Sequence, residues 1–104
     1  MTFRRAARTD ENQPEIVKEF RKLGWYVLIV SQLKNCCDII VSKAGRTVAV
    51  EIKNPDLPPS KQKLTKGELE FSKEWQGEFC LVKTVEDVAA VDNLLKDGIL
   101  SKGK

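Results

Sequence analysis

Three charged residues in the middle of the chain have the types and the spacing of a site for a divalent cation and a phosphate ester. Asp38 opens one apolar segment, and Glu51 and Lys53 end the next one. Side chains two apart on a strand point to the same face, so Glu51 and Lys53 lie side by side. Carboxylates bind Mg²⁺ or Mn²⁺ through hard oxygen ligands, and an ammonium group stabilises charge at a phosphoryl centre. The three residues therefore predict metal-assisted hydrolysis of a phosphodiester.

A β-hairpin is needed to bring these residues together. Residues 38–42 and 47–53 have the composition of two strands, and residues 43–46 between them contain the glycine of a turn. The hairpin folds Asp38 back towards Glu51. The main-chain carbonyl of Ile52 then becomes a further oxygen ligand, and Lys53 is available to orient the attacking water. The alternative is that Glu51 and Lys53 are mere neighbours on an exposed edge strand, with Asp38 in a turn.

The chain before the hairpin predicts a helix and a strand. Asp10 or Asn12 can cap a helix that ends near Gly24. Its apolar residues recur at helical spacing and predict one buried stripe, formed by Ile16, Val17, Phe20 and Leu23. Residues 25–30 are aromatic and β-branched, which predicts a buried strand with Trp25 in the core.

The chain after the hairpin predicts a loop, a helix, a strand and a last helix. Three prolines make residues 54–60 an irregular loop. Thr65 and Glu68 form a capping-box pattern, so a helix should begin there and stop around Gly77, with Leu69 and Ser72 facing inward. Residues 79–82 are a short apolar strand. Residues 84–96 form an amphipathic helix whose apolar side includes Val85, Val88, Ala89, Leu94 and Leu95.

These elements predict one α/β domain over residues 1–104: a small mixed β-sheet flanked by helices, in the order α-β-β-β-α-β-α. Residues 1–9 and 98–104 are expected to be loose. No apolar run has the length of a transmembrane span and no secretory signal is recognisable, so we expect a cytoplasmic protein. Three cysteines and no histidine predict buried, reduced thiols rather than disulfides or a zinc site.

The distribution of charge along the chain suits a nucleic-acid partner. The formal net charge is only +3, but basic residues crowd the first quarter of the chain and the loop near residue 63. Such local excess suits a phosphate backbone. For any single lysine or arginine, a solvated surface position is the alternative.

Residues 37–41, with the sequence Cys-Asp-Ile-Ile-Val, are followed one hairpin later by Glu-Ile-Lys at 51–53. This pattern resembles the PD-(D/E)XK nuclease superfamily, and in particular its short phage-type VRR-NUC and Holliday-junction-resolvase-like members. The likeness runs from Asp10 to about Val91 and includes Asp10-x-Asn12-Gln13 before the core and Leu64-Thr65 after it. It implies a restriction-endonuclease-like core and a DNA endonuclease dependent on Mg²⁺ or Mn²⁺.

The resemblance also implies the site residues. Asp38, Glu51 and the carbonyl of Ile52 would bind metal, and Lys53 would be catalytic. The first helix often supplies a further glutamate in this superfamily, and Gln13 stands near that position, with Asp10 and Glu15 as other candidates. Relatives often have proline where this chain has Cys37, which removes no ligand. Many have glutamine where it has Glu68, whose alternative role is that of Thr65's capping partner. Contacts with DNA are expected from Arg8, Asn12, Lys61, Lys63 and Lys66.

Two classes of function remain open at this point. The first is a phage or bacterial endonuclease that cuts branched or duplex DNA in replication, recombination or repair. Symmetric cutting of two strands would require two sites and hence a homodimer. The alternative is a non-catalytic nucleic-acid-binding or regulatory module that retains the nuclease fold.

Overall fold

A computed structural model describes residues 10–97 of the chain. Arg8 and the segments expected to be loose lie outside the described residues. The elements are α1 (Gln13–Lys22), β1 (Tyr26–Ile29), β2 (Ile39–Lys43), β3 (Arg46–Ile52), a 3₁₀ helix (Pro59–Gln62), α2 (Lys66–Glu74), β4 (Glu78–Val82) and α3 (Val85–Asp97). The predicted order of helices and strands is confirmed. The prediction of an irregular loop up to residue 60 is wrong for Pro59 and Ser60, which begin the 3₁₀ helix, because proline is tolerated in a first turn.

The hairpin of β2 and β3 has the predicted form. Lys43 pairs with Arg46 across a two-residue turn, in which Ala44 and Gly45 have φ angles of 51° and 81°. Positive φ at both turn residues matches the right-handed twist of the flanking strands. The turn fixes the register, and the register brings Asp38 opposite the end of β3.

The sheet has the strand order β1-β2-β3-β4, antiparallel except for the parallel pair of β3 and β4. The first strand, β1, therefore lies at an edge. The prediction of a buried strand is wrong for it, since only Val27 of the four residues is buried. Trp25, just before the strand, is in the core as predicted. The apolar composition of the segment indicated a strand but did not indicate which of its faces would be covered.

The core fills one face of the sheet beneath α1 and α3. Ile16, Val17 and Phe20 of α1 are buried there, and Val88 and Val91 of α3 complete the layer. Ala89, predicted on this apolar side, is exposed instead. Over residues 10–97 the structure contains no helix with the length and apolarity needed to span a bilayer.

The opposite face of the sheet is only partly covered. The predicted capping box of Thr65 and Glu68 begins α2, which ends at Glu74, about a turn earlier than expected. Phe71 contacts Phe79 of β4 and stacks on Trp75. Leu69, predicted to face inward, is exposed. On this face Tyr26 and Leu28 of β1 remain exposed.

A buried ion pair joins α3 to the hairpin. The ammonium group of Lys43 donates to Asp92 Oδ1 at 2.7 Å and to the carbonyl of Leu23 at 2.7 Å. The indole of Trp25 donates to the same Asp92 oxygen at 3.0 Å. These contacts connect the end of α1, the end of β2 and α3 at one corner of the fold.

Replacing Lys43 by methionine should destabilise the protein by about 2 kcal/mol, because the buried carboxylate of Asp92 loses its counter-ion. The free energy of unfolding in urea measures the effect. Lys73→Met, at an exposed position of α2, is the matched control and should change it by less than about 0.5 kcal/mol. Equal stability of the two variants would contradict this role of Lys43.

Candidate active site

Asp38 lies at the junction of three strands. Its main-chain carbonyl accepts from Val30 at 2.9 Å, and its amide donates to the carbonyl of Val50 at 3.1 Å. Its carboxylate accepts the main-chain N–H of Ile52 at 2.7 Å. A side-chain oxygen thus occupies the place of a main-chain acceptor where the β2–β3 ladder ends. This bond holds the carboxylate against the end of β3.

Glu51 and Lys53 lie on the same face of β3, as their spacing predicted. They are buried, with 3% and 8% of their surface exposed. Because β3 is paired on both sides, the alternative of an exposed edge strand is wrong. The Lys53 ammonium group lies 3.6 Å from Glu51 Oε2. Asp38, Glu51 and Lys53 therefore converge at the carboxyl end of β3.

Glu68 is the capping partner of Thr65, as predicted, and it also contacts Lys53. Its Oε1 accepts the main-chain N–H of Thr65 at 2.8 Å, which completes the capping box. The same oxygen accepts from Lys53 Nζ at 2.8 Å. The start of α2 is thereby tied to the end of β3, and the position of the ammonium group is fixed.

Burial and mutual repulsion dominate the electrostatics of the carboxylates. Burial, together with the charges of Asp38 and Glu68, raises the pKa of Glu51 to about 10. Burial also raises the pKa of Asp38, although the hydrogen bond from Ile52 opposes the shift. Each of these carboxyl groups therefore disfavours the ionised form of its neighbour.

The two partners of the ion pair shift in opposite directions. Burial alone would lower the pKa of Lys53, but its hydrogen bond to Glu68 and the nearby carboxylate charges raise it. Burial would raise the pKa of Glu68, but the bonds from Lys53 and from the Thr65 amide lower it. Lys53 thus remains an ammonium ion at neutral pH, which suits charge stabilisation rather than proton abstraction.

A polar cleft of about 260 Å³ opens beside these residues. Asp38, Thr65 and Glu68 form one side of it. The loop between β1 and β2 forms the other, through Ser31, Leu33, Lys34, Asn35, Cys36 and Cys37. The loop packs tightly on α2, since any side chain at Gly67 would collide with Asn35. Sequence reasoning assigned no role to this loop, although a chain that leads directly into Asp38 has to pass beside it.

Asn12 joins two strands rather than capping α1. Its position is that of the N-cap, but its side chain makes no capping bond. The amide group instead donates to the carbonyls of Lys53 at 3.1 Å and Lys83 at 2.8 Å. Asn12 thereby ties together the ends of β3 and β4, so the prediction of a side-chain cap is wrong for this residue.

The other candidates of the first helix are placed differently from one another. Asp10 is close enough for its charge to raise the pKa of both Asp38 and Lys53. Gln13 is buried and reaches the cleft only through a long hydrogen bond of 3.4 Å to Ser31. Glu15 lines a separate cleft beyond the ends of β3 and β4. The structure thus brings Asp10 to the site, places Gln13 behind it and leaves Glu15 outside.

The basic loop connects the end of β3 to α2, and Lys66 is the first residue of that helix. Lys61, Lys63 and Lys66 are all exposed. Gln62 fixes the loop by donating to the carbonyls of Pro55 at 3.2 Å and Leu57 at 2.7 Å. The three ammonium groups are therefore exposed to solvent on a segment whose main chain is fixed by the hydrogen bonds of Gln62.

The donor set fits a hard divalent cation with water completing its shell. Among residues 10–97, no group of three or more acidic or cysteine side chains is arranged to hold a metal by itself. Mg²⁺, however, keeps several waters and needs only one or two carboxylates. Asp38 and Glu51 provide two, and the Ile52 carbonyl, on the same side of β3 as its amide, adds a neutral oxygen.

The cysteines are not equally buried. Cys37 is buried as predicted, whereas Cys80 is half-buried and Cys36 lines the cleft. Burial raises the pKa of Cys37 and of Cys80 to about 12 in each case. Both therefore remain thiols rather than nucleophilic thiolates at neutral pH.

No known protein family, curated protein or solved structure matches the chain.

Replacing Glu51 by glutamine should stabilise the metal-free protein above neutral pH. A carboxyl group whose pKa rises on folding costs stability increasingly as the pH climbs from its unfolded pKa towards the folded one. For Glu51 this window runs from about 4.5 to about 10. With chelator at pH 8 we expect Glu51→Gln to add about 1–3 kcal/mol, and near pH 4.5 to add almost nothing.

Thermal unfolding between pH 4.5 and pH 8 checks this expectation. Glu70→Gln, at an exposed position of α2, is the control and should have little effect throughout. A lower melting temperature for Glu51→Gln at pH 8 would contradict the proposed repulsion between the carboxylates.

Proposed function

We propose that the protein is a Mg²⁺- or Mn²⁺-dependent endonuclease that hydrolyses phosphodiester bonds in DNA. The convergence of Asp38, Glu51 and Lys53 at the end of a buried strand carries the proposal, because a binding module has no need of a buried, mutually repelling carboxylate pair beside an ammonium group. The four-stranded mixed sheet with helices on its faces is compatible with a restriction-endonuclease-like core.

The residues of the chain divide the chemistry between them. Asp38, Glu51 and the carbonyl of Ile52 would hold the cation. When bound, the cation supplies a Lewis acid for the phosphodiester and lowers the pKa of a coordinated water. Lys53, kept protonated by Glu68, stabilises the negative charge that develops on the phosphoryl group and orients the water. Lys34, on the loop at the other side of the cleft, adds positive charge where the DNA backbone would enter.

Branched DNA is the proposed substrate, and a phage or bacterial cytoplasm is the proposed setting, in replication, recombination or repair. A chain of this size covers little duplex, so cutting both strands symmetrically would use two copies. The exposed lysines near residue 63 would hold the backbone on one side of the cleft, and Asn12, whose amide is used within the fold, would support the site rather than contact DNA.

Cleavage of a labelled four-way junction and of a matched linear duplex tests the activity. We expect cutting with Mg²⁺ or Mn²⁺, none with chelator, and a loss of about 10²-fold or more in Lys53→Ala, because charge stabilisation in the transition state is removed. Lys73→Ala is the control and should cut normally. Asp38→Asn, which keeps an acceptor for Ile52, should fold and fail to respond to metal. DNA binding without cutting under any metal would favour the non-catalytic module.

The basic loop should contribute to DNA binding and not to the chemical step. Replacing both Lys61 and Lys63 by alanine should weaken binding and reduce the slope of log K against log salt by about 2, because two phosphate contacts are lost. Single-turnover cleavage at saturating protein should be unchanged. Lys73→Ala, at an exposed position of α2, is the control and should leave the slope unchanged. An unchanged salt dependence in the loop variant would remove the loop from the interface.

A further inference from the structure

The edge strand β1 is apolar and unprotected. Tyr26, Leu28 and Ile29 are 70%, 49% and 43% exposed. Natural edge strands are usually protected by a charge, a proline or a bulge, and the four residues of β1 contain neither charge nor proline. Within residues 10–97, no other strand pairs with its outer side.

The register shows which main-chain groups of β1 are free. Val30 donates to the carbonyl of Asp38, and Leu28 and Tyr26 stand opposite Ile40 and Ser42. Because Val30, Leu28 and Tyr26 are two residues apart, their main-chain N–H and C=O groups all point towards β2. In an antiparallel pair, residues with their N–H and C=O groups towards the partner alternate with residues whose groups point away. The amides and carbonyls of Val27 and Ile29 therefore point outward from the sheet.

We propose that β1 pairs with the β1 strand of a second copy of this chain, antiparallel about a two-fold axis at Leu28. In this register Val27 of each copy exchanges two main-chain hydrogen bonds with Ile29 of the other. All four outward groups of each strand are then paired, and the two Leu28 side chains meet at the axis. The two sheets become one sheet of eight strands.

The charges of α1 are self-complementary in the same arrangement. The helix has Glu15 in its first turn and Arg21 and Lys22 in its last. A two-fold axis at β1 sets the two copies of α1 antiparallel, so the acidic end of each lies towards the basic end of the other. Beside the strand, a cleft of about 380 Å³ between Pro14, Val17, Arg21 and Ile29 extends the apolar surface.

The area is that of a modest interface. Three exposed apolar side chains of β1 and the α1 cleft form a small surface, at the lower end of the range of specific interfaces. We therefore expect a dimer that forms at micromolar concentration. The proposed dimer does not depend on the nuclease proposal, but it would place two copies of the candidate active site in one assembly. Neighbouring strands lie about 4.8 Å apart, so the two Glu51 carboxylates would lie roughly 25 Å apart on one face of the common sheet.

Sedimentation of the full chain between 2 and 200 µM tests the pairing. The expected result is a monomer–dimer equilibrium in the wild type. Leu28→Arg should raise the dissociation constant at least 30-fold, because two arginines then meet at the axis. Leu69→Arg, which alters a leucine of similar exposure on α2, should leave it unchanged. Mixing Leu28→Arg with Leu28→Glu should restore dimerisation as a heterodimer, because the arginine and the glutamate then meet at the axis. A register in which Leu28 lies away from the axis does not predict this rescue.

Residue-resolved amide hydrogen exchange distinguishes pairing of β1 with a second copy from coverage of β1 by another part of the same chain. The Val27 and Ile29 amides should exchange fast in dilute protein and slowly at 200 µM, whereas the Leu28 amide, bonded to β2, should be protected at both concentrations. Monomeric protein at 200 µM, or protection of Val27 and Ile29 at every concentration by another part of the chain, would overturn the proposal. A monomer that cuts DNA would overturn the dimer alone, and a dimer that cuts nothing would overturn the nuclease alone.

Discussion

The hydrogen bond from the Ile52 amide to the Asp38 carboxylate is the contact on which the site depends. It ends the β2–β3 ladder one step early and substitutes a charged oxygen for a neutral carbonyl. The carboxylate is thereby held next to Glu51, which the parallel pairing of β3 with β4 has already buried. Lys53 then balances part of the resulting negative charge, and Glu68 holds the ammonium group in place. The hairpin turn, the capping box and the Asn12 contacts all serve to keep these few atoms in register.

Burying these carboxylates next to each other lowers the free energy of unfolding of the protein. Carboxylates buried side by side disfavour each other's ionised form, and one shared ammonium group compensates only in part. The apolar layer under α1 and α3 has to offset this cost. The cation of the proposed function would relieve this repulsion. Its binding would therefore stabilise the folded state.

Local signals in the sequence predicted the parts of the fold that local interactions determine. The turn at Ala44 and Gly45, the capping box at Thr65 and the same-face position of Glu51 and Lys53 each depend on residues only a few places apart. Asn12 could not be predicted in this way, because its partner carbonyls lie 41 and 71 residues further along the chain. The edge position of β1 depends on strand order, which its apolar composition does not contain. Glu68 was ambiguous in the sequence because one oxygen serves both the helix cap and Lys53.

The bonds of Asn12 to Lys53 and Lys83 also bear on the order of synthesis on the ribosome. Asp38, Glu51 and Lys53 leave the exit tunnel well before β4 and Lys83, so a nascent chain already contains every charged group of the site. Without β4, however, β3 has no second neighbour, and Asn12 has only one of its two partners. In the proposed endonuclease, this order of synthesis would delay assembly of the site until β4 and Lys83 have been translated.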